Sequence, residues 1–155
     1  PGALARFLAL YDACLMDTTR LYPGMRRVLQ HLEPLLPLAV VTNKPLAPAL
    51  RLLEGLGVLP HFLDVLGGDG PFPRKPDPAG LRSLGPHARG GPVVYVGDSH
   101  VDAETAERAG AAFVLAGYGF GASRVPPDTT PFVAAAPADL PRVIGAALRL
   151  GRLTD

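Results

Sequence analysis

The sequence predicts an α/β protein built on a doubly wound parallel sheet. Short apolar runs that end at turn residues alternate with helical patterns from residue 25 to residue 150. This alternation is typical of parallel strands joined by crossover helices. The strand-like runs are mostly apolar, as expected of strands that helices cover on both faces. The chain has 155 residues and no internal repeat, so it fits one main domain.

Five short runs carry the strand signal. Four of them are mostly apolar and end at a Thr or just before a Gly. The fifth, at 132–133, is marginal because it has only two residues. The predicted strands are 38–42 (LAVVT), 63–66, 92–96 (PVVYV), 112–116 (AFVLA) and 132–133.

The predicted helices have apolar residues at helical spacing and end at Gly or Pro. Prolines and glycines also mark two loops, at 69–78 and 117–131. The helices are predicted at 4–17, 25–36, 45–56, 81–87, 100–109 and 137–150. The helix at 4–17 is the one element that does not fit the alternation, because no strand precedes it.

Composition excludes several classes of protein. Hydrophobic residues make up 48% of the chain and charged residues 19%, which is a globular balance. The net charge is +1 without a basic stripe, so we expect no nucleic-acid partner. No apolar run approaches the ~18 residues that a membrane span needs. The single Cys14 excludes an internal disulfide and is compatible with the cytoplasm, where we expect the protein.

Polar side chains follow three of the predicted strands. Thr42 and Asn43 end the first strand, Lys75 lies in the loop after the second, and Asp98 follows the third. Asp102 lies one helical turn beyond Asp98. In open parallel sheets, sites form at the carboxyl ends of the strands. We therefore expect these residues to converge at one edge.

The residue types at this edge suit a phosphate and a metal ion. Asp98 and Asp102 offer the oxygen ligands that Mg²⁺ prefers. Lys75 offers a positive charge for a phosphate oxygen, and the Thr42 hydroxyl is a suitable donor. Each residue also has an ordinary structural interpretation: a turn or cap for Thr42 and Asp98, and a solvated surface position for Lys75 and Asp102.

Taken together, three motifs are more specific than their separate residues. The stretches VVTNK (40–44), KPDP (75–78) and VGDSHVD (96–102) occur in that order after predicted strands. They resemble the second, third and fourth motifs of the haloacid dehalogenase superfamily. The stretches LYPGM (21–25), GGD (67–69) and AERAGAAFVLAGYGFG (106–121) are similar to the phosphoglycolate phosphatase branch of that superfamily.

The resemblance implies a Mg²⁺-dependent phosphomonoester hydrolase that acts on a small phosphorylated metabolite. It implies that Thr42 and Asn43 bind the transferring phosphoryl group and that Lys75 neutralises it. Asp98 would be a Mg²⁺ ligand, and Asp102 would hold the metal shell or Lys75. In such enzymes an Asp at the end of the first strand attacks phosphorus, and a second Asp two residues later acts as acid and base.

The first motif of that superfamily, an apolar strand followed by DxDGT, is absent from this sequence. The acids before residue 42 are Asp12, Asp17 and Glu33, and none of them follows a predicted strand. We interpret residues 1–19 as the remnant of a helical cap and residues 20–155 as the core. The first, central strand would then be missing between LAVVT and PVVYV.

The missing first motif leaves several expectations open. Three origins fit it: a fragment of a longer enzyme, one half of a split enzyme, or a truncated inactive product. The unpaired inner strands of the chain predict self-association or a complementing N-terminal segment. The alternative function is a non-catalytic domain that binds phosphate or a partner. A dehalogenase proper is a weaker alternative, because its chemistry needs no metal and leaves Asp98 and Asp102 without a purpose.

Overall fold

The computed structural model of the chain describes residues 19–151 and Gly2. Within them, five strands alternate with five helices, as the sequence predicts. The strands are β1 (Ala39–Val41), β2 (Asp64–Leu66), β3 (Val94–Gly97), β4 (Ala112–Ala116) and β5 (Val133–Ala134). The helices are α1 (Met25–Leu32), α2 (Leu46–Gly55), α3 (Ala79–Ser83), α4 (His100–Ala109) and α5 (Leu140–Gly151). The helix predicted at 4–17, and with it the cap remnant, lies outside the described residues.

Three helices differ from their predicted bounds at prolines and a glycine. Helix α1 ends at Leu32 rather than at residue 36, because Pro34 cannot continue a helix. The helix predicted at 81–87 is divided into α3 and a 3₁₀ turn at Gly85–Ala88, where a Gly-Pro pair follows Leu84. The last helix begins with a 3₁₀ turn at Pro137–Asp139 before α5 continues it.

All strand pairs are parallel, which confirms the predicted fold class. Strand β1 pairs with β2, with Val40 opposite Val65. Strands β3, β4 and β5 pair in that order, with Val96 opposite Val114. The described strands therefore form two parallel sheets, of two and three strands.

The two sheets face each other along β1 and β3. The Tyr95 hydroxyl on β3 donates a hydrogen bond of 3.2 Å to the Val41 carbonyl on β1. Among the described residues, no strand pairs with the facing edge of β1 or of β3. The family resemblance implies a central strand between these two edges, and that expectation stays a prediction.

Helices cover both faces of the three-stranded sheet. Val114 of β4 packs in one apolar cluster with Val28 of α1 and Val143 of α5. Its neighbours Phe113 and Leu115 point to the other face and pack with residues of α3 and α4. This alternation along one strand is what a doubly covered sheet requires. None of the helices described is long and apolar enough to cross a membrane.

Candidate active site at the carboxyl ends of the strands

The predicted site residues lie beyond the carboxyl ends of the strands. Thr42 follows β1, Lys75 lies in the loop between β2 and α3, and Asp98 follows β3. Ser99 caps the amino end of α4. Asp102 therefore lies in the first turn of α4, with its carboxylate directed back toward the end of β3.

Lys75 and Asp102 form a largely enclosed ion pair. The Lys75 Nζ atom lies 2.7 Å from Asp102 Oδ1, and the two side chains are only 14% and 9% exposed. Lys75 Nζ also donates a 2.9 Å hydrogen bond to the Tyr95 hydroxyl. Tyr95 Oη is 3.3 Å from Asp102 Oδ1. Three polar groups, from a loop, a strand and a helix, thus meet in one small cluster.

The cluster keeps both charges in place. Burial alone would lower the pKa of Lys75, but Tyr95 and Asp102 outweigh it and raise that pKa above 10.5. Burial alone would raise the pKa of Asp102, but the hydrogen bonds from Lys75 and Ser99 outweigh it and hold that pKa below 3.8. Burial raises the pKa of Tyr95 above 10.0, against the opposing effect of Lys75. At neutral pH the lysine is a cation and the aspartate an anion.

Both oxygens of Asp102 accept hydrogen bonds from the protein. While Oδ1 accepts from Lys75, Oδ2 accepts from the Ser99 hydroxyl at 2.6 Å and from the amides of Asp98 and Ser99 at 3.2 Å. Ser99 and Asp102 also form a reciprocal capping box at the start of α4. The helix terminus therefore fixes the carboxylate that faces Lys75.

Gly97 allows this close arrangement. A Cβ atom at position 97 would lie 2.4 Å from the Cβ of Asp102, far inside van der Waals contact. Any side chain there would push α4 away from the end of β3. The glycine before Asp98 is thus required by the packing of Asp102.

Asp98 is partly buried, and one of its carboxylate oxygens has no hydrogen-bond partner among the described residues. Its Oδ2 accepts a hydrogen bond of 3.1 Å from the Gly121 amide. Within residues 19–151, its Oδ1 accepts no hydrogen bond.

The nearby Tyr118 stays protonated over a wide pH range. Burial first, then Tyr22 and then the charge of Asp98 raise the pKa of Tyr118 to about 12.

Asn43 and Thr42 connect β1 to the lysine loop. The side chain of Asn43 donates to the Lys75 carbonyl at 3.0 Å and accepts from the Lys75 amide at 2.8 Å. This two-point contact joins segments that are 32 residues apart. The Thr42 hydroxyl accepts a 3.1 Å hydrogen bond from the Lys44 amide, so its own proton is left to donate elsewhere.

Sequence reasoning missed three contributors to this cluster. Ser99 was detectable, because Ser99 and Asp102 have the spacing of a capping box. Tyr95 carried no signal beyond one hydroxyl in an apolar strand. Gly121 carried none, because its contact with Asp98 spans 23 residues and depends on strand order.

The described residues offer Mg²⁺ part of a ligand set. They contain no group of three or more His, Cys, Asp or Glu side chains that could hold a metal ion. Mg²⁺ keeps several waters, however, and is often bound by one or two carboxylates plus substrate phosphate. The free oxygen of Asp98 fits the role of one such carboxylate.

Comparison with known proteins gives the class to which this fold and site belong. The sequence matches the haloacid dehalogenase-like hydrolase family over residues 3–110. The chain belongs to that family.

Its relatives narrow the resemblance to phosphoglycolate phosphatases. The chain is 45% identical over 122 residues to the phosphoglycolate phosphatase of Rhodospirillum rubrum, covering 76% of this chain and 50% of the relative. It is 43% identical over 111 residues to that of Cereibacter sphaeroides, covering 71% and 51%. The crystal structure of a predicted phosphoglycolate phosphatase from Haemophilus somnus 129pt superimposes with a TM-score of 0.82 at 31% identity, covering 90% of this chain and 64% of that one. The chain spans about half the length of the curated relatives it matches.

Proposed function

We propose that the protein is a Mg²⁺-dependent phosphomonoester hydrolase of small organic phosphates, with phosphoglycolate as the first candidate substrate. The observation that carries the proposal is the enclosed Lys75–Asp102 pair beside Thr42 and Asp98. An enclosed lysine that stays charged at the carboxyl edge of a parallel sheet suits an anionic ligand. The names of the similar proteins from Rhodospirillum rubrum and Cereibacter sphaeroides support phosphoglycolate.

Lys75 would neutralise the phosphoryl group in this proposal. Its ammonium has three protons, and Asp102 and Tyr95 take two of them. The third is left for a phosphate oxygen. Asp102 then acts by holding Lys75 rather than by binding the metal, because both of its oxygens already accept hydrogen bonds. Asn43 fixes the main chain of Lys75 from the other side.

Thr42 and Asp98 would complete the phosphate and metal contacts. The Thr42 proton is free to donate to a phosphoryl oxygen, since its oxygen already accepts from Lys44. Asp98 would contribute Oδ1 as a ligand to Mg²⁺. When bound, Mg²⁺ supplies positive charge next to the phosphoryl oxygens.

The attacking carboxylate would come from outside residues 19–151. Between residues 19 and 38 the one acid is Glu33, which lies just after α1 and away from any strand end. We place the nucleophile at the end of a strand that inserts between β1 and β3. Two parallel sheets whose facing edges have no partner among the described residues support that position.

Phosphate release from phosphoglycolate tests the proposal. The 155-residue chain and the product of the complete reading frame are assayed with and without Mg²⁺. We expect Mg²⁺-dependent turnover by the complete product and little by the chain, because removing a nucleophile costs several orders of magnitude. Asp98→Asn should reduce that turnover sharply while leaving the fold intact. Turnover that changes neither on removal of Mg²⁺ nor in Asp98→Asn would refute the metal assignment.

A non-catalytic domain that binds phosphate or a partner is the second candidate. It is favoured because Asp98, the acid that directly follows β3, is assigned to Mg²⁺ in the first proposal, and no second acid directly follows a described strand to attack phosphorus. It predicts no phosphate release by either protein, together with a thermal stabilisation by phosphate plus Mg²⁺.

A further inference from the structure

The loop Gly117–Gly121, with the sequence Gly-Tyr-Gly-Phe-Gly, crosses the carboxyl edge of the sheet beside Asp98. Two hydrogen bonds fix the start of the loop. The Gly117 amide donates to the Ala134 carbonyl at 2.8 Å, and the Gly119 amide donates to the Ala116 carbonyl at 2.8 Å. The loop is thereby tied to the ends of β4 and β5.

Two glycines of this loop lie directly against Asp98. A Cβ atom at position 119 would be 2.2 Å from the Asp98 Cβ, and one at position 121 would be 2.6 Å from the Asp98 carbonyl oxygen. Real Cβ atoms essentially never approach so closely. Gly121 has φ −90° and ψ −13°, which any residue can adopt. The contact with Asp98, and not the backbone conformation, therefore requires glycine at position 121.

The amide of Gly121 also determines which carboxylate oxygen of Asp98 accepts a hydrogen bond. That amide donates to Oδ2 at 3.1 Å. Since the backbone of Gly119 closes the space beside the Asp98 Cβ, the side chain has little room to rotate. Oδ1 is left without a hydrogen-bond partner among residues 19–151.

Aromatic packing supports the outer side of the loop. The ring of Tyr118 meets that of Tyr22 edge to face, with centroids 4.9 Å apart. Phe120, which lies between the two close glycines, is 96% exposed and so adds little packing of its own. The loop is thus anchored by its glycine backbone and by Tyr118, while Phe120 adds only a tilted contact with Tyr22, with ring centroids 6.3 Å apart.

We propose that Gly119 and Gly121 are positioning residues, which hold the Asp98 carboxylate in one orientation with Oδ1 directed to the metal and phosphate site. The metal part of this inference rests on the proposed function. The contact of the two glycines with Asp98 is independent of that proposal. Groups that orient a metal ligand are often worth 10–100-fold in metal affinity.

Amide NMR of the intact chain tests the contact without any metal. The reporter is the backbone amide resonance of Gly121. We expect both Asp98→Asn and Gly119→Ala to shift it, because the first changes the accepting group and the second displaces it. Gly85→Ala, where a Cβ has open space around it, serves as the control that leaves this resonance in place. If Gly119→Ala does not fold, the nearly isosteric Asp98→Asn still reports the contact.

Mn²⁺ as a paramagnetic substitute for Mg²⁺ tests the consequence for metal binding. In the unaltered chain, Mn²⁺ should broaden the amides of 97–99 and 119–121 first. Gly119→Ala should raise the Mn²⁺ dissociation constant roughly tenfold, and Phe120→Ala should leave that constant unchanged. The inference would be overturned if the Gly121 resonance did not shift in Asp98→Asn. It would also be overturned if Gly119→Ala bound Mn²⁺ as tightly as the unaltered chain does. If Mn²⁺ broadens none of these amides while the Gly121 contact persists, the metal assignment of the proposed function fails and the positioning contact stands.

Discussion

The substitution Asp102→Asn tests the cluster at the centre of the site. In the folded chain, one side of the carboxylate faces Lys75 and Tyr95, and the other faces Ser99 and two backbone amides. Every one of these groups donates to the carboxylate or can do so. An asparagine has one accepting oxygen and one donating nitrogen, so whichever way it turns, a donor meets donors.

The expected loss of stability is about 3 kcal/mol. Removing one partner of a buried ion pair costs about 3–5 kcal/mol, and a buried donor without an acceptor costs about 1–3 kcal/mol. Asparagine keeps one accepting side, which places the loss toward the lower end of the first range. Against a total of about 5–15 kcal/mol for a domain, such a loss is large.

Urea unfolding measures this loss, and Glu104→Gln provides the matched control. Glu104 lies on the same helix and pairs with Arg108, but those side chains are 38% and 51% exposed. The same acid-to-amide change there should cost no more than about 0.5 kcal/mol. A loss below about 0.5 kcal/mol in Asp102→Asn, equal to the control, would refute the claim that the enclosed carboxylate holds the cluster together.

The pH dependence of the free energy of unfolding provides a second test of the role of Asp102. The pKa of Asp102 is lower in the folded chain than its ordinary value of 3.8. Its ionised form therefore stabilises the fold at neutral pH, and that contribution is lost as the pH falls below 3.8 through the lowered pKa. The stability gap between the unaltered chain and Asp102→Asn should be constant near neutrality and shrink in acid. A gap that stays constant into strong acid would contradict this linkage.

Three further outcomes are expected. Lys75→Met should raise the pKa of Asp102 toward its ordinary value, since its Lys75 hydrogen bond is lost; carboxyl ¹³C NMR measures this, and an unchanged pKa would count against the pairing. Tyr95→Phe should cost about 1 kcal/mol in urea unfolding, because it removes a donor to the Val41 carbonyl; no loss would mean that this bond between the sheets carries no weight. The facing edges of β1 and β3 predict concentration-dependent association of the chain in sedimentation velocity, and a strict monomer at all concentrations would argue against it.

The order and kind of the elements could be predicted because a parallel α/β sheet leaves strong local signals. The run at 112–116 is apolar on both faces, and β4 packs Phe113 on one side and Val114 on the other. Element ends were less certain where proline acts locally, as at Pro34. The division into two sheets could be anticipated only through the family resemblance, since no local pattern shows which strands are neighbours.

The site was predicted at the level of residues and not of contacts. Thr42, Lys75 and Asp98 follow strands, and strand ends are local features. The contacts of Asn43 with Lys75 span 32 residues, and no local pattern indicates them. Asp102 has the residue type of a metal ligand, and the sequence alone does not show that one of its oxygens faces Lys75. Such pairings depend on strand order, which only the fold reveals.

Binding of inorganic phosphate measures the central claim most directly. Isothermal titration of the 155-residue chain with phosphate, with and without Mg²⁺, needs no turnover and therefore no nucleophile. We predict binding that Mg²⁺ strengthens and that Lys75→Met weakens by at least about tenfold, or about 1.4 kcal/mol, while Glu104→Gln leaves it unchanged. Phosphate affinity that is the same with Lys75 or methionine at this position would contradict the assignment of the site.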